Sequence, residues 1–200
     1  MKLSFGTPLL AAGVLAWVLA LGAGFGVLWR YQRGAGEAAE ARSMWPSGST
    51  LPRNAGRPLV LQFVHPRCPC SRATLTELKG LVERLPGRPP VLILFARPAG
   101  VEEGWERTGT WDQAKAIPGA NVLADIDGRE FERFGAKTSG QTFVYGANGE
   151  LLFSGGITPA RGEVGQNAGR ERVAAILKGL TPERRDSLVY GCALEEPEKK

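Results

Sequence analysis

The sequence predicts an α/β fold, a three-layer sandwich with a mixed central sheet, preceded by one N-terminal transmembrane helix. Three observations lead to this prediction. Residues 8–29 carry no charge and are long enough to cross a bilayer as a helix. Two apolar strand-like runs, 59–64 and 91–96, flank a helical pattern at 71–85, which indicates a parallel βαβ unit. Asn148-Gly149 then separates two further apolar runs, as in a β-hairpin.

The composition excludes several classes of protein. The chain has 200 residues, of which 43% are hydrophobic and 22% charged, unlike a collagen, a coiled coil or a largely disordered chain. Three cysteines and one histidine are too few for a disulfide-stapled scaffold or a histidine-rich metal site. Residues 43–200 carry 21 basic against 18 acidic groups, so no nucleic-acid partner is predicted.

Residues 1–33 are interpreted as an uncleaved membrane anchor, with Trp29 and Tyr31 at the lipid–water interface. The alternative is a cleaved signal peptide, but its apolar core is usually only about 7–15 residues long. No small-residue cleavage motif follows the run at the right distance. We therefore expect a single-pass protein of the bacterial inner membrane whose domain faces the periplasm.

Three segments follow the anchor. Residues 34–57 are rich in Gly, Ala, Ser and Pro and are predicted to be a flexible linker. Residues 58–180 are predicted to be the folded domain, and residues 181–200 a C-terminal tail.

Within the domain the elements alternate. Residues 101–117 are weakly helical and interrupted by Gly104 and Gly109. The remaining predicted elements are strands at 121–124, 141–145 and 150–153, and helices at 129–134 and about 169–178. A βαβ unit followed by a ββα unit gives one mixed sheet with helices on both faces.

The chemistry is predicted where the first strand meets the first helix of the domain. Cys68 and Cys70, separated by Pro69, lie there. The positive end of a helix dipole stabilises an anion at this place, and the thiolate is the reactive form of cysteine. Arg67 adds positive charge, and Pro69 stiffens the connection. The alternative is a pair of structural cysteines.

Two other residues have open interpretations. His65, the only histidine, is either a proton-transfer or metal-binding group or a strand-end residue hydrogen-bonded to the backbone. Cys192 is either a resolving thiol that folds back onto Cys68 or Cys70, or a tail cysteine without a role. The Gly-rich stretch 154–169 is a surface connection or, through Arg161, Gln166 and Asn167, a loop that caps the site.

A strand, a Pro-containing cysteine pair, a helix and a later strand-turn-strand-helix resemble the thioredoxin-like superfamily. The stretch 134–151, from Phe134-Gly135 to Gly149-Glu150-Leu151, resembles membrane-anchored reductases of the TlpA/ResA type. The order of anchor, Cys-Pro-Cys pair and Gly-rich segment is also similar to RedB-type proteins. This resemblance implies a thioredoxin-like sandwich over about residues 57–180.

The chain departs from the family pattern twice. Only one residue separates Cys68 from Cys70, where the family usually has two, so a bridge between them is expected to be strained and easily reduced. Gly140 stands where the family places a cis-proline. The resemblance implies that Gly140 and Gln141 dock the substrate backbone.

The predicted function is a thiol–disulfide oxidoreductase that needs no cofactor and acts on a protein or small-molecule thiol or disulfide. Cys68 attacks, and Cys70 or Cys192 resolves. One alternative is a thiol peroxidase that starts from a sulfenic acid on Cys68. The other is a copper carrier similar to Sco-type metallochaperones, with Cys68, Cys70, His65 and Cys192 as ligands of Cu(I).

Overall fold

The computed structural model describes residues 7–53 and 56–194, and the chain divides into two compact units, 1–34 and 35–200. The first unit contains helix α1, Thr7–Arg33. Its stretch from Pro8 is long and apolar enough to cross a membrane. Its large apolar side chains are exposed all round, as in Leu9, Trp17 and Phe25. The candidate membrane span of the prediction is therefore confirmed as a helix.

The second unit is a five-stranded sheet with helices on both faces. Its elements in chain order are β1 Leu59–Val64, α2 Ser71–Arg84, β2 Val91–Arg97, α3 Gly109–Lys115, β3 Ala120–Ile126, α4 Arg129–Phe134, β4 Thr142–Tyr145, β5 Leu151–Gly155 and α5 Ala168–Leu177. The strand order is β3-β2-β1-β4-β5. The first three strands are parallel, and β4 and β5 run antiparallel to their neighbours. The mixed sheet of the prediction is confirmed.

Alternation along the strands divides the core into two layers. In β1, Val60 and Val64 contribute to the cluster under α2 and α5, whereas Leu61 and Phe63 contribute to the opposite cluster with α4. Since full burial of a large apolar side chain stabilises by about 1.5–3 kcal/mol, this alternation fixes the register of each central strand.

One predicted element differs from the structure, and the predicted hairpin is confirmed. Within the weak helical pattern at 101–117, a helix forms only over Gly109–Lys115. Gly104 has a φ of +87°, which is outside the right-handed helical region, so the chain turns at this residue. The hairpin at Asn148-Gly149 forms as predicted, with Gly149 at a φ of +90° and its N–H bonded to the carbonyl of Gly146.

The segment predicted as a flexible linker packs on the domain over residues 36–51. Trp45 contacts the rings of Phe134 and Tyr145 edge-on, and Glu40 N–H donates to the carbonyl of Gly135. Single apolar side chains and backbone hydrogen bonds hold this segment, so its composition does not indicate the packing. Residues 54 and 55 of the predicted linker lie outside the described residues.

The predicted tail is also part of the domain as far as residue 194. Val189 and Leu194 are buried, and Ser154 N–H donates to the carbonyl of Arg185. A short antiparallel bridge pairs Ala193 with Thr138. Residues 195–200 lie outside the described part of the chain.

Candidate functional site

Cys68 and Cys70 lie in the tight turn that connects β1 to α2. Cys68 N–H donates to the carbonyl of His65 at 3.1 Å, and Ser71 N–H donates to that of Cys68 at 3.1 Å. Cys70 is the N-cap residue of α2. Both side chains are buried, with 2% and 8% of their surface exposed. The predicted position at the helix N-terminus is therefore the observed one.

Cys192 folds back onto this turn. Its backbone N–H lies 3.4 Å from Cys68 Sγ, and its thiol is close enough for Cys68 and Cys192 to shift each other's pKa. Of the two interpretations of Cys192, the structure favours the one that places it at the site. A residue separated from Cys68 by 124 positions thus contributes a backbone donor to its sulfur.

The pKa of the Cys68 thiol is lowered from its ordinary value. Burial opposes ionisation most strongly, but the hydrogen bonds from Cys192, from the Cys70 backbone and from Ser71 together outweigh it. Hydrogen bonds to the charged form favour that form. Cys68 is therefore the sulfur that this site stabilises as a thiolate.

The other two thiols are held protonated. Burial and the neighbouring Cys68 raise the pKa of Cys70, and the same two causes raise that of Cys192 to about 12. The positive charge of Arg161 acts in the opposite direction on both groups. One thiolate with two thiol donors beside it is the arrangement expected when like charges share a small site.

Arg161 reaches the site from the Gly-rich loop after β5. Its guanidinium donates to the carbonyl oxygen of Gly191 at 2.6 Å. Of the two interpretations of this loop, capping of the site is the one that the position of Arg161 supports. Asn167 has another role, because its side chain caps α5 by accepting from Arg170 N–H at 2.7 Å, and Gln166 is exposed.

A buried carboxylate fixes the same loop. Glu77 of α2, 1% exposed, accepts from the N–H of Gly165 at 2.6 Å and pairs with Arg170. Because Gly165 and Arg170 lie at the end of this loop, the hydrogen bond and the ion pair attach the loop to the second turn of α2.

The segment 191–194 pairs with the domain at one isolated antiparallel bridge, between Ala193 and Thr138, and carries Cys192 to the site; it is called the strand 191–194 below. Ser139 N–H donates to the carbonyl of Cys192 at 2.8 Å, and Leu194 N–H donates to that of Lys137 at 2.9 Å. A Cβ built on Gly191 would overlap the carbonyl oxygen of Ser139. The strand can approach this closely only because residue 191 is glycine.

Gly140 and Gln141 lie next to this strand, but their backbone N–H groups bond within the domain. Gly140 donates to the carbonyl of Phe63 and Gln141 to that of Thr138. Gly140 has a φ of +96°, and no cis peptide bond occurs in the described residues. The N–H that faces the strand belongs to Ser139, which the resemblance did not single out.

His65 supports the turn. Its Nδ1 accepts from Arg67 N–H at 3.2 Å, its backbone N–H donates to Ser139 Oγ at 2.8 Å, and its ring lies edge-on to Trp105. The Arg67 guanidinium lies over the same Trp105 ring, 4.5 Å from its centroid. Trp105 was not predicted, since nothing in the sequence near residue 105 indicated contact with the cysteine turn. Pro69 is exposed between the two cysteines.

The copper alternative, with Cys68, Cys70, His65 and Cys192 as ligands, stays a prediction. Among residues 7–53 and 56–194, no three His, Cys, Asp or Glu side chains lie in an arrangement suited to holding a metal ion.

The comparisons with known proteins concern the fold. No protein-family model matches the chain, and no curated protein matches it. An uncharacterized conserved protein from Geobacillus kaustophilus is similar with a TM-score of 0.57 and 16% identity, over 84% of this chain and 94% of that one. A hypothetical protein from Sinorhizobium meliloti 1021 is similar with a TM-score of 0.59 and 21% identity, over 82% and 96%. The exposed lipoprotein thioredoxin of Streptococcus pneumoniae gives a TM-score of 0.45 and 18% identity, over 62% and 86%.

Proposed function

The chain has a thioredoxin-like fold, and on this premise we propose that it is a membrane-anchored thiol–disulfide oxidoreductase whose nucleophile is Cys68. The contact of the Cys192 N–H with Cys68 Sγ at 3.4 Å carries the proposal. It places a second cysteine against the sulfur whose pKa is lowered, and a nucleophilic thiolate beside a second thiol is what disulfide exchange requires.

The first step is attack of the Cys68 thiolate on one sulfur of a substrate disulfide. The substrate S–S bond breaks, a Cys68–substrate mixed disulfide forms, and the departing sulfur takes up a proton. In the second step the Cys192 thiol, whose ionisation the Cys68 charge no longer opposes once Cys68 is in the mixed disulfide, attacks Cys68 Sγ. The other substrate sulfur leaves and takes up the proton that Cys192 loses. The substrate gains two electrons and two protons, and the chain loses two electrons as it forms an internal disulfide. One of the protons comes from Cys192 and the other from solvent.

Cys192 is the resolving residue in this proposal. Its backbone N–H contacts Cys68 Sγ at 3.4 Å, so the two residues are already neighbours in the reduced chain. A bridge between Cys68 and Cys70 has only Pro69 between its ends and departs from relaxed disulfide geometry. A thiol-containing reductant, a small molecule or another protein, then returns the chain to its reduced state.

The site is proposed to work in the periplasm of a bacterial inner membrane, anchored by α1. The uncharged span supports the anchor, and thiol–disulfide chemistry is typical of that oxidising compartment.

The test uses the full chain in detergent micelles with a model disulfide as substrate. We expect Cys68→Ser to abolish turnover and Cys192→Ser to accumulate a mixed disulfide on Cys68, detected by intact mass. Thr76→Ser, at an exposed threonine of α2, is the matched control and keeps full activity. Full disulfide turnover by Cys68→Ser would contradict the proposal, and so would turnover of hydroperoxides alone, which would instead identify a thiol peroxidase.

A further inference from the structure

A cavity of about 380 Å³ lies between the start of α5 and the segment that leads to Cys192. Leu188 and Tyr190 of that segment line it, together with Ala168 and Gly169, the first residues of α5. Its volume falls within the range of cavities that hold small molecules, about 300–1,000 Å³. The substrate-reducing steps proposed above do not use this cavity.

The lining of the cavity is positively charged. Arg172 of α5 and Arg184 both belong to it, and the N-terminal end of the α5 dipole adds a partial positive charge. Arg184 pairs with the exposed carboxylate of Asp186 at 3.1 Å, whereas Arg172 donates to the backbone carbonyl of Asp186 at 2.5 Å. A neutral carbonyl does not cancel the charge of Arg172. Among the described residues, none of those that line the cavity is Asp or Glu, so the cavity favours an anion.

The cavity adjoins the redox site along two segments of the chain. Tyr190 precedes Cys192 by two residues, a span of at most about 7 Å. Pro159 also lines the cavity and precedes Arg161 by two residues. Arg161 in turn donates to the carbonyl of Gly191 at 2.6 Å. A small molecule bound in the cavity is therefore held beside the residue that resolves the mixed disulfide.

The exposure of the two cysteines indicates which sulfur such a molecule reaches. Cys68 is 2% exposed, whereas Cys192 is partly exposed. A thiol that reduces a disulfide attacks one sulfur and expels the other, and the sulfur with the lower pKa leaves faster. The pKa of Cys68 is lowered and that of Cys192 is raised. Access and leaving-group strength thus both direct the attack to Cys192.

We propose that this cavity binds the reductant of the chain, a small thiol that carries a carboxylate, and that the sulfur of this thiol attacks Cys192 in the oxidised form. The inference rests on the function proposed above and names the class of reductant for the same site. The carboxylate pairs with Arg172 and Arg184 at the positive end of α5. The thiol end extends past Tyr190 toward Cys192.

Two molecules of the thiol complete the reduction. The first loses its proton and attacks Cys192 Sγ, so the Cys68–Cys192 bond breaks and Cys68 leaves as the thiolate that its hydrogen bonds stabilise. The second loses its proton and attacks the reductant sulfur of the mixed disulfide, and Cys192 leaves and takes up one of the two protons. The two thiols lose two electrons and become a disulfide, and the chain gains these electrons. The strand 191–194 stays in place, because its backbone partners Ser139 and Lys137 do not line the cavity.

The test uses the full chain in detergent micelles, oxidised at the Cys68–Cys192 pair, and two thiols that differ only in charge. They are N-acetylcysteinylalanine with a free carboxylate and the same dipeptide as its amide. Each rate of reduction is divided by the rate of the same thiol with hydroxyethyl disulfide, an uncharged compound, which corrects for the intrinsic reactivity of the thiol. We expect the acid to reduce the chain about tenfold faster than the amide, which is the order expected for hydrogen bonds to a charged group.

Variants locate the carboxylate. Arg172→Gln should abolish the preference for the acid, and Arg172→Lys, which keeps the positive charge, should retain most of it. Arg129→Gln is the matched control, because it removes an exposed arginine of α4, and it should keep the full preference. Acid quenching during the reaction of the wild-type chain, followed by peptide mass, should find the mixed disulfide on Cys192.

The outcomes separate the two proposals. Equal corrected rates for the acid and the amide on the wild-type chain would overturn this inference and leave the oxidoreductase intact. A mixed disulfide found on Cys68, or a preference that survives in Arg172→Gln, would overturn it as well. Full turnover of a model disulfide by Cys68→Ser would overturn the proposed function itself. Should a variant fail to fold, the comparison of acid and amide on the wild-type chain still decides.

Discussion

The guanidinium of Arg161 donates a hydrogen bond of 2.6 Å to the carbonyl oxygen of Gly191. This bond joins the loop after β5 to the strand that carries Cys192, and it is charge-assisted, so it is stronger than a bond between neutral groups. The position of Cys192 against Cys68 thus depends on a side chain from a different part of the domain.

Arg161→Gln should loosen the strand. Loss of a hydrogen bond from a charged donor costs about 1.5 kcal/mol or more, which corresponds to about tenfold faster opening. Hydrogen exchange of the Leu194 amide, bonded to the carbonyl of Lys137, measures this opening. Arg129→Gln, which removes an exposed ion pair with Asp127, is the control. Unchanged exchange at Leu194 would show that Arg161 does not hold the strand.

The reactivity of Cys68 should depend on Cys192. Because the pKa of Cys68 lies below its ordinary value, its alkylation should stay fast as the pH falls through that value and slow only below the lowered pKa. Cys192→Ala removes the thiol donor, so the midpoint of the pH–rate profile should move upward. The measurement is iodoacetamide labelling of Cys68 followed by peptide mass. A midpoint that stays in place would mean that other donors set the pKa of Cys68.

Glu77→Gln should strongly destabilise the domain. It leaves the partly buried Arg170 without its carboxylate, and breaking a buried ion pair costs about 3–5 kcal/mol. Lys79→Gln in the same helix removes only the exposed pair with Glu83 at 3.9 Å, which contributes about 0–1 kcal/mol. Urea unfolding of the full chain followed by circular dichroism compares them. Equal losses in the two variants would rule out a stabilising role for the buried pair.

Gly135→Ala should detach the segment 36–51. Gly135 has a φ of +71°, and a Cβ there would overlap the backbone of Glu40. Gly179 has a φ of +79° with nothing within 4 Å, so Gly179→Ala isolates the conformational cost of about 1 kcal/mol. We expect Gly135→Ala to lose about 1–3 kcal/mol more, from overpacking, and to gain protease cleavage within 36–51. Identical stability and cleavage in both variants would contradict the packing.

The central strands and the cysteine turn were predictable because their signals are local. Val60 to Val64 and Val91 to Phe95 are continuous apolar runs, as buried parallel strands require, and Cys68 follows β1 directly. The convergence of Cys192 on Cys68 does not follow from the sequence, since the strand that carries Cys192 is held by backbone hydrogen bonds to Ser139 and Lys137. Such bonds are independent of side-chain type.

The packed segment before β1 escaped prediction for a related reason. Trp45 is a single aromatic residue in a Gly- and Ser-rich stretch. One apolar side chain alone cannot show the periodic pattern from which a packed helix or strand is predicted. The sequence does not distinguish a capping role of Arg161 from an ordinary position in a surface loop. Its hydrogen-bond partner, the carbonyl of Gly191, belongs to the backbone of a distant segment.

The 124-residue separation of Cys68 and Cys192 has a thermodynamic consequence. A bridge that closes a loop of about 100 residues removes chain entropy from the unfolded state worth about 4.7 kcal/mol. Oxidation at this pair would therefore raise the free energy of unfolding far more than a bridge across Pro69. Because folding and oxidation are linked in one thermodynamic cycle, folding in turn favours the oxidised form of the Cys68–Cys192 pair by the same free energy. The melting temperature of this domain should consequently report its redox state.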